Sequence, residues 1–430
     1  MTEKLLKFID RSPSPYHAVS NAEQILKNAE FKRLYEHKEW EIERGGKYYA
    51  IRDGSALIAF KVPDVEYTGL NVCASHTDSP SFKLKSSPEL EPVNSLIRLN
   101  VEGYGGMIRE SWFDRPLSVA GRITVRGSNG IEMKLVNIDK DLMIIPSLAV
   151  HMGKARADGE SVNIQNELLP ILRGEGGRNF TELIAESAAV EAADIKGCDL
   201  YLYNREKGVM FGAENEFIAS GRIDDLENVY ASLAAFSESD NKSSMNMFCA
   251  FNNEETGSLS RTGAESTFFE DTLERINESL GISRAAYLKK LASSFIMSAD
   301  NAHAAHPSYM SKADPVNRPK LNGGVVIKYN ASGRYTTDAV SSAIVKELCR
   351  YAQVPVQEYH NRSDIPGGST LGNLMNRYIS VLSADIGAAQ LAMHSSYETA
   401  GAKDAEYMYR LFREFYSRSL TAADNGFIIE

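Results

Sequence analysis

The stretch MFCAFNNEETGS (residues 247–258) places two neighbouring carboxylates directly after an apolar run. The run has the length and apolar character of a strand that is buried on both faces. Neither a core nor a turn requires Glu254 and Glu255, so two like charges at this point need another explanation. Successive side chains of a strand point to opposite faces, so both carboxylates can approach one centre only where the strand opens into a loop. The Asn and Gly residues of NNEETG predict such a loop.

The same arrangement occurs at three other places in the chain. Apolar runs lead to His76 in FKVPDVEYTGLNVCASH, to Asp300 in SSFIMSADNAH and to His394 in YISVLSADIGAAQLAMHS. Helical periodicity lies between these runs, as in DDLENVYASLAAFSES and YTTDAVSSAIVKELCRYA. Alternating strands and helices predict an α/β fold, in which a site forms at the carboxyl ends of the strands. We therefore expect a mixed sheet flanked by helices, with these residues at one edge.

The middle of the chain has a different pattern. Short alternating runs such as LSVAGRITVRG and IEMKLVNI are separated by Gly and Asn, which is typical of antiparallel β structure. The chain of 430 residues is also longer than a single core usually allows, which is about 250 to 300 residues. We predict a β-rich insertion at residues 90–212 within an α/β domain built from residues 1–89 and 213–430.

The composition argues against several classes of protein. Apolar residues make up 43% of the chain and charged residues 24%, which is typical of a folded globular protein. The formal net charge of -10 argues against a nucleic-acid partner, because phosphate binding requires a basic surface. Apolar runs of about 18 residues and a signal-peptide pattern are both missing from the sequence, so we expect no membrane span. The four cysteines lie far apart, and a cytoplasmic location is expected.

Five residues at these strand and helix ends are suited to bind metal. They are His76, Asp224, Glu255, Asp300 and His394. Two imidazoles and three carboxylates suit two Zn²⁺, Co²⁺ or Mn²⁺ ions, with one carboxylate shared and one position on each ion open for water. Taken singly, each residue more often has a structural role, such as Asp224 as a helix cap. The recurrence at successive strand ends favours the metal site.

Glu254 is the member of the carboxylate pair that remains free of metal in this interpretation. A carboxylate next to a water shared by two metal ions can hold the proton of that water, so we expect Glu254 to act as a general base. An isolated Glu-Glu pair at a strand end is more often a solvated turn. The positive charge of two ions among the carboxylates would explain why the charges gather here.

Stretches in the same order over nearly the whole chain resemble the aspartyl aminopeptidase family of metallopeptidases, within the zinc-exopeptidase clan. They include SPSPYHAV, HTDSP, WFDRPLSVAGRI, SGRIDDLENV, FNNEETGS, GGVVIKYNASGRYTTD and ADIGAAQLAMHSSYE. The resemblance implies a zinc-exopeptidase-type mixed sheet flanked by helices, with an inserted β-rich dimerisation domain. It also implies self-association, from dimers to a dodecamer.

The resemblance further implies roles for single residues. His76 and Asp300 would hold one zinc ion, Glu255 and His394 the other, and Asp224 would bridge the two.

The same resemblance makes Glu254 the general base and Asp78 a carboxylate that orients a ligand His or the base. The substrate-binding positions of the family fall on His151, His303, Lys328 and Tyr335. His151 would reach the active site of a neighbouring subunit. The alternative is that His151 is itself a metal ligand, but five better-placed ligands favour the substrate role.

The implied activity is removal of the N-terminal residue of a peptide by a metal-activated water with Glu254 as base. Lys328 would pair with the carboxylate of an N-terminal Asp or Glu, although a surface lysine at a strand end is the simpler interpretation; neutral first residues are the alternative substrates. Two other functions stay open at this point. One is another dimetal hydrolase of the same fold, such as a carboxypeptidase or a deacylase, and the other is a non-catalytic shell protein.

Overall fold

The computed structural model of the chain describes residues 1–152 and 161–430. Its helices, numbered in chain order, are α1 (Thr2–Asp10), α2 (Pro15–Asn28), α3 (Ile164–Glu167), α4 (Phe180–Ala188), α5 (Ile223–Glu238), α6 (Phe268–Ser279), α7 (Arg284–Leu291), α8 (Ala339–Ala352), α9 (Leu371–Met375) and α10 (Asp404–Ser417). Its strands are β1 (Lys32–Leu34), β2 (Lys47–Arg52), β3 (Ala56–Lys61), β4 (Leu70–His76), β5 (Ser81–Glu89), β6 (Leu96–Tyr104), β7 (Leu117–Gly127), β8 (Gly130–Asn137), β9 (Ile171–Gly174), β10 (Ile195–Asn204), β11 (Val209–Phe211), β12 (Phe217–Ser220), β13 (Met245–Phe251), β14 (Phe295–Ala299), β15 (Ala302–His303), β16 (Val325–Tyr329), β17 (Val356–His360), β18 (Leu382–Gly387), β19 (Ala389–Leu391), β20 (Glu398–Gly401), β21 (Leu420–Ala423) and β22 (Gly426–Ile429).

The central element is a nine-stranded mixed sheet with the strand order β1-β2-β3-β13-β4-β14-β18-β16-β17. Strands β13, β4, β14 and β18 run parallel to one another, so their carboxyl ends lie at the same edge of the sheet. Phe251, the last residue of β13, pairs with His76, the last residue of β4. The α/β fold predicted from the alternating pattern is confirmed, and the predicted strand ends do meet at one edge.

Helices cover both faces of this sheet because its strands carry apolar side chains on both. Helices α1, α2, α5, α8 and α10 pack on one face, and α6, α7 and α9 pack on the other. In β4, Cys73 belongs to the first core, whereas Val72 and Ala74 belong to the second. Among the described helices, none combines the length and the apolar character that crossing a bilayer requires.

The middle of the chain forms a separate six-stranded sheet with the order β8-β7-β10-β5-β6-β9. Every pairing in this sheet is antiparallel, as the alternating pattern predicts. The sheet has its own core, in which the rings of Phe82 and Trp112 meet at a centroid distance of 5.1 Å. Its first strand, β5, begins ahead of the predicted boundary at residue 90, and the division into two domains stays a prediction.

The apolar run before His394 differs from the prediction of a single strand. It divides into β18, in the nine-stranded sheet, and β19, in a five-stranded sheet with the order β11-β12-β20-β19-β15. The change of sheet occurs at Gly387, where a Cβ atom would lie only 2.0 Å from the carbonyl oxygen of Asp300. Glycine therefore permits the close approach at which the chain leaves one sheet for the other.

Candidate metal centre

The predicted metal-binding residues meet at the carboxyl edge of the nine-stranded sheet. His76 ends β4, Asp300 directly follows β14, and Glu255 lies in the turn after β13. Asp224 lies in the first turn of α5, and His394 follows β19. His76, Asp224 and Asp300 belong to one group of potential ligands, and Asp224, Glu255 and His394 to another. Within each group the ligand atoms lie within 4.8 Å of one another.

Asp224 is shared by the two groups and directs one oxygen to each. Its Oδ1 lies 3.3 Å from His76 Nε2, and its Oδ2 lies 3.5 Å from His394 Nε2. Asp300 Oδ1 lies 3.7 Å from His76 Nε2, and Glu255 Oε2 lies 3.3 Å from His394 Nε2. Two ligands at about 2.0 to 2.1 Å from a tetrahedral zinc ion lie roughly 3.3 Å apart. Each group therefore has the spacing of donor atoms around one ion.

The chemistry of the donor atoms also fits divalent metal. Asp224 Oδ1 and Glu255 Oε1 are buried and have no hydrogen-bond partner in the part of the chain that the structure describes. A buried carboxylate oxygen without a partner is costly unless a cation lies beside it. Two imidazole nitrogens together with carboxylate oxygens are the donors that zinc, cobalt and manganese accept. An ion in each group would satisfy these oxygens and balance their charge.

Hydrogen bonds on the far side of each imidazole present Nε2 to the two groups. His76 Nδ1 lies 3.1 Å from the carbonyl oxygen of Asp78. His394 Nδ1 lies 2.8 Å from the carbonyl oxygen of Gly106. A protonated Nδ1 that donates to a carbonyl leaves Nε2 as the metal-binding nitrogen.

Glu254 lies beside these ligands, in a set of potential ligand atoms with His76 and Glu255. In the metal-free protein, burial raises the pKa of Glu254 to about 8; His76 opposes the shift, and Asp300 adds to it. Divalent ions in the two groups would favour the carboxylate form, which is the form that a general base needs.

Asp78 connects the Glu254 turn to His76. Its Oδ1 accepts a hydrogen bond from the backbone N–H of Glu254, and its Oδ2 accepts one from the backbone N–H of Glu255, both at 3.2 Å. Its Oδ1 also lies 3.5 Å from His76 Nδ1. One buried carboxylate thus contacts the predicted base and two predicted ligands, Glu255 and His76, and its orienting role stays a prediction.

Two further buried carboxylates support the ligands, and neither was predicted from the sequence. Asp225 accepts a hydrogen bond from the backbone N–H of His76 at 3.1 Å. Glu398 accepts hydrogen bonds from the backbone N–H groups of Asp224, at 3.1 Å, and His394, at 2.8 Å. The available signal was proximity in sequence, since Asp225 follows a predicted ligand and Glu398 ends the MHSSYE stretch.

The end of β6 brings the six-stranded sheet into contact with the centre. The Tyr104 hydroxyl donates a hydrogen bond to Asp78 Oδ2 at 2.6 Å and accepts one from Asn253 Nδ2 at 2.9 Å. Gly105 has a φ of +72°, and a Cβ atom there would lie 3.1 Å from Glu255 Cβ. Glycine is therefore favoured at this position both by the backbone conformation and by the close approach. No local pattern in the sequence indicated a role for Tyr104.

A cavity of about 460 Å³ opens onto the metal-binding groups. Three of the predicted substrate-binding residues, His303, Lys328 and Tyr335, line it together with Glu254. His151 lies on an exposed turn and is absent from the lining and from the metal-binding groups found within residues 1–152 and 161–430. Its action on a neighbouring subunit stays a prediction.

The interpretation of Lys328 as a surface lysine is wrong, because the residue is only 2% exposed. Its Nζ lies 2.7 Å from the carbonyl oxygen of Asp300, 3.3 Å from Asp300 Oδ2 and 3.3 Å from the carbonyl oxygen of Asn301. An ammonium group has three N–H donors, so these acceptors occupy its full capacity. Lys328 therefore holds the segment that carries a predicted metal ligand.

Comparison with known proteins identifies a family for this chain. Residues 8–416 match the family model described as aminopeptidase I zinc metalloprotease (M18). The chain is 45% identical over 423 residues to the probable M18 family aminopeptidase 2 of Clostridium novyi (strain NT), an alignment that covers 96% of this chain and 98% of the relative.

Solved structures show the same similarity. The cryo-EM structure of the Ape4 and Nbr1 complex contains a chain with a TM-score of 0.92 and 34% identity, with 96% of this chain and 85% of that chain covered. The S. cerevisiae mApe1 dodecamer gives a TM-score of 0.85 and 27% identity, with 96% of each chain covered. The match over nearly the whole chain, together with the donor groups at the strand ends, shows that this protein belongs to the M18 family of zinc metalloaminopeptidases.

Proposed function

We propose that this aminopeptidase removes the N-terminal residue of peptides at a centre of two divalent metal ions, with zinc as the favoured metal and cobalt or manganese as alternatives. The observation that carries the proposal is the pair of donor groups joined by Asp224. His76 and Asp300 would complete one site, and His394 and Glu255 the other.

The residues around the cavity divide the chemistry among them. When bound, the two ions supply Lewis-acid activation of a water molecule and of the scissile carbonyl group. Glu254 accepts a proton from the attacking water and then donates it to the leaving amine. The Asp78 carboxylate keeps Glu254 in place by accepting a hydrogen bond from the backbone N–H of Glu254. His303 and Tyr335, in the cavity wall, stabilise the carbonyl oxygen as it gains negative charge.

Substrate preference and assembly are further parts of the proposal. An acidic first residue, Asp or Glu, is the preferred substrate, with neutral residues as the alternative. The hydrogen bonds of Lys328 are directed to the Asp300 segment. Lys328 therefore acts on an acidic substrate residue through its positive charge at the cavity wall. A dodecamer is described for the S. cerevisiae relative. For this chain we propose assembly from dimers to a dodecamer, with His151 reaching a neighbouring site, and a cytoplasmic location.

Peptides with free and acetylated N-termini test the activity. We expect sequential release of N-terminal residues from the free peptides and a rate at least about 100-fold lower for the acetylated ones, because a site built to bind an amine rejects its blocked form. Mass spectrometry of the products measures both. Equal cleavage of both forms, or release from the C-terminus, would instead favour a deacylase or a carboxypeptidase. A protein without bound metal and without activity would favour the shell protein.

Tyr104 provides a test of the role of Asp78. Replacing Tyr104 with phenylalanine removes the hydrogen bond to Asp78 Oδ2 but keeps the ring in place. We expect kcat to fall by about 10- to 100-fold, as for other residues that orient groups at a metal site, with KM close to that of the wild type. Steady-state kinetics on an unblocked peptide, together with metal analysis, measure the effect.

Tyr201 offers a matched control for this substitution. Its buried ring packs edge-on against Tyr104 at a centroid distance of 5.2 Å, and no hydrogen bond of its hydroxyl group is found within the described residues. Tyr201→Phe should therefore keep the wild-type kcat. Equal losses in the two variants would mean that the loss does not come from the hydrogen bond between Tyr104 and Asp78.

A further inference from the structure

Three buried amide side chains form a chain of hydrogen bonds behind the metal-binding groups. They are Asn228 on α5, Asn301 directly after Asp300, and Gln390 on β19. Each is at most 3% exposed. Within the described residues, the hydrogen bonds of these side chains go to one another and to carboxylates outside the five predicted ligands. The three amides therefore act on the centre only through other groups.

The chain of hydrogen bonds runs from one carboxylate to another. Asn228 Nδ2 donates to Asp225 Oδ1 at 2.5 Å and to Asn301 Oδ1 at 2.7 Å. Asn301 Nδ2 donates to Gln390 Oε1 at 2.8 Å. Gln390 Nε2 then donates to Glu398 Oε1 at 3.4 Å, which is the longest link. Asp225 and Glu398 are thus joined without a gap.

The two end carboxylates support different metal-binding groups. Asp225 Oδ2 accepts the backbone N–H of His76 at 3.1 Å. Glu398 accepts the backbone N–H groups of His394, at 2.8 Å, and Asp224, at 3.1 Å. A displacement of either carboxylate would therefore move a predicted ligand. The amides provide a second connection between the two groups, in addition to the shared ligand Asp224.

The orientation of each amide in this chain is fixed by its neighbours. Both oxygens of Asp225 and of Glu398 accept N–H groups, so Asn228 and Gln390 present their NH₂ groups to them. Asn228 uses both of its N–H donors, and its Oδ1 has no partner among the described residues. Turning over the amide of Asn301 would place like atoms face to face at both of its links. Buried networks of this kind hold their members in one arrangement.

We propose that Asn228, Asn301 and Gln390 are positioning residues that keep the two metal sites in a fixed relation to each other. The inference rests on the proposed function, because it requires two ions. Partners of this kind behind the ligands commonly change metal affinity when they are replaced. Because the amides act as one chain, a break at either end of Asn301 should have the same effect as a break at both.

Two substitutions break the chain on opposite sides of Asn301, and a third serves as the control. Asn228→Ala and Gln390→Met are made singly and together. Asn246→Ala removes an equally buried amide at the amino end of β13, away from the centre, where Nδ2 donates to the carbonyl oxygen of Tyr416 at 2.8 Å. We would titrate zinc into the metal-free proteins in competition with a chelating dye, and record the thermal unfolding of each metal-free protein.

We expect each single variant to bind zinc about 10- to 100-fold more weakly than the wild type. The double variant should bind within about threefold of the weaker single variant, because the chain is already broken in each. Asn246→Ala should lower the melting temperature of the metal-free protein and bind zinc as the wild type does. The two breaks lie in different elements, so either single variant alone tests the loss of affinity against this control.

Three outcomes would overturn the positioning role while wild-type zinc binding still supports the proposed function. Wild-type affinity in both single variants would mean that the chain does not position the ligands. Losses that multiply in the double variant would mean that each amide serves only its own neighbour. An equal loss of affinity in Asn246→Ala would assign the effect to general destabilisation. A wild type that binds no zinc would overturn the positioning role and the proposed function together.

Discussion

Replacing Glu254 with glutamine should lower kcat by about 10²- to 10⁴-fold and leave the bound metal unchanged. The amide has nearly the shape of the carboxyl group but cannot accept a proton from the attacking water. The stability of the metal-free protein should change little, because burial already disfavours the charged form of this group there and raises its pKa to about 8. Steady-state kinetics on an unblocked peptide, elemental analysis and thermal unfolding measure the three quantities.

Two further variants serve as comparisons for Glu254→Gln. Glu255→Gln should lose metal as well as activity, because Glu255 Oε2 lies 3.3 Å from His394 Nε2, at the spacing of ligands on one ion. Glu278→Gln, an exposed position on α6, should match the wild type in all measurements. A Glu254 variant that keeps more than about a tenth of the activity, or that loses metal in parallel with activity, would remove Glu254 from the role of base.

The fold and most of the centre could be predicted because a strong local pattern carried them. Apolar runs of strand length end at His76 and directly before Asp300, and parallel strands bring their carboxyl ends together. This prediction does not depend on knowing which strands pair with each other. The same pattern failed for the run before His394, where a Cβ-free residue, Gly387, allows the chain to change sheets. Apolar periodicity does not record such a change.

The supporting groups could not be predicted, because they act through contacts between segments that are distant in sequence. Tyr104, at the end of β6, reaches Asp78, which lies between β4 and β5. In the sequence, Lys328 looks like any lysine at the end of a strand. Only the structure shows that the Asp300 segment accepts its hydrogen bonds. A polar side chain in a sequence does not indicate whether its partner is water or a buried oxygen, and that difference decides its role.

Removing both metal ions should abolish activity and lower the melting temperature by about 15 °C. Each ion present at about 1,000 times its Kd stabilises the folded state by about 4 kcal/mol, and in a large protein each kcal/mol changes Tm by about 2 °C. Dialysis against a chelator followed by addition of zinc should restore both properties. Thermal unfolding and peptidase assays of the same samples measure them. A chelated protein that keeps its activity would contradict the metal centre.

The loss of Tm on chelation should grow from pH 6 to pH 8. In the metal-free protein, burial raises the pKa of Glu254, of Glu398 and of Glu227 to about 8, from an ordinary value of 4.5. A group with a higher pKa in the folded state stabilises the fold below its unfolded pKa, and this contribution is lost as the pH rises through the folded value. Burial opposes the charged form of His394, but Asp224 and Glu255 raise its pKa to about 10. The contribution of His394 to the stability of the metal-free protein is therefore also lost as the pH rises above 6.5.

The stability of the metal-loaded protein should instead increase with pH over this range. Metal binding requires deprotonated ligands, so affinity for the ions increases as the pH rises. The metal-free protein loses stability over the same interval, because buried carboxyl groups such as Glu398 are ionised without a cation beside them. Melting temperatures measured with and without chelator at pH 6, 7 and 8 should therefore diverge. A constant or narrowing difference would mean that ions bound here do not balance the charge of these carboxylates.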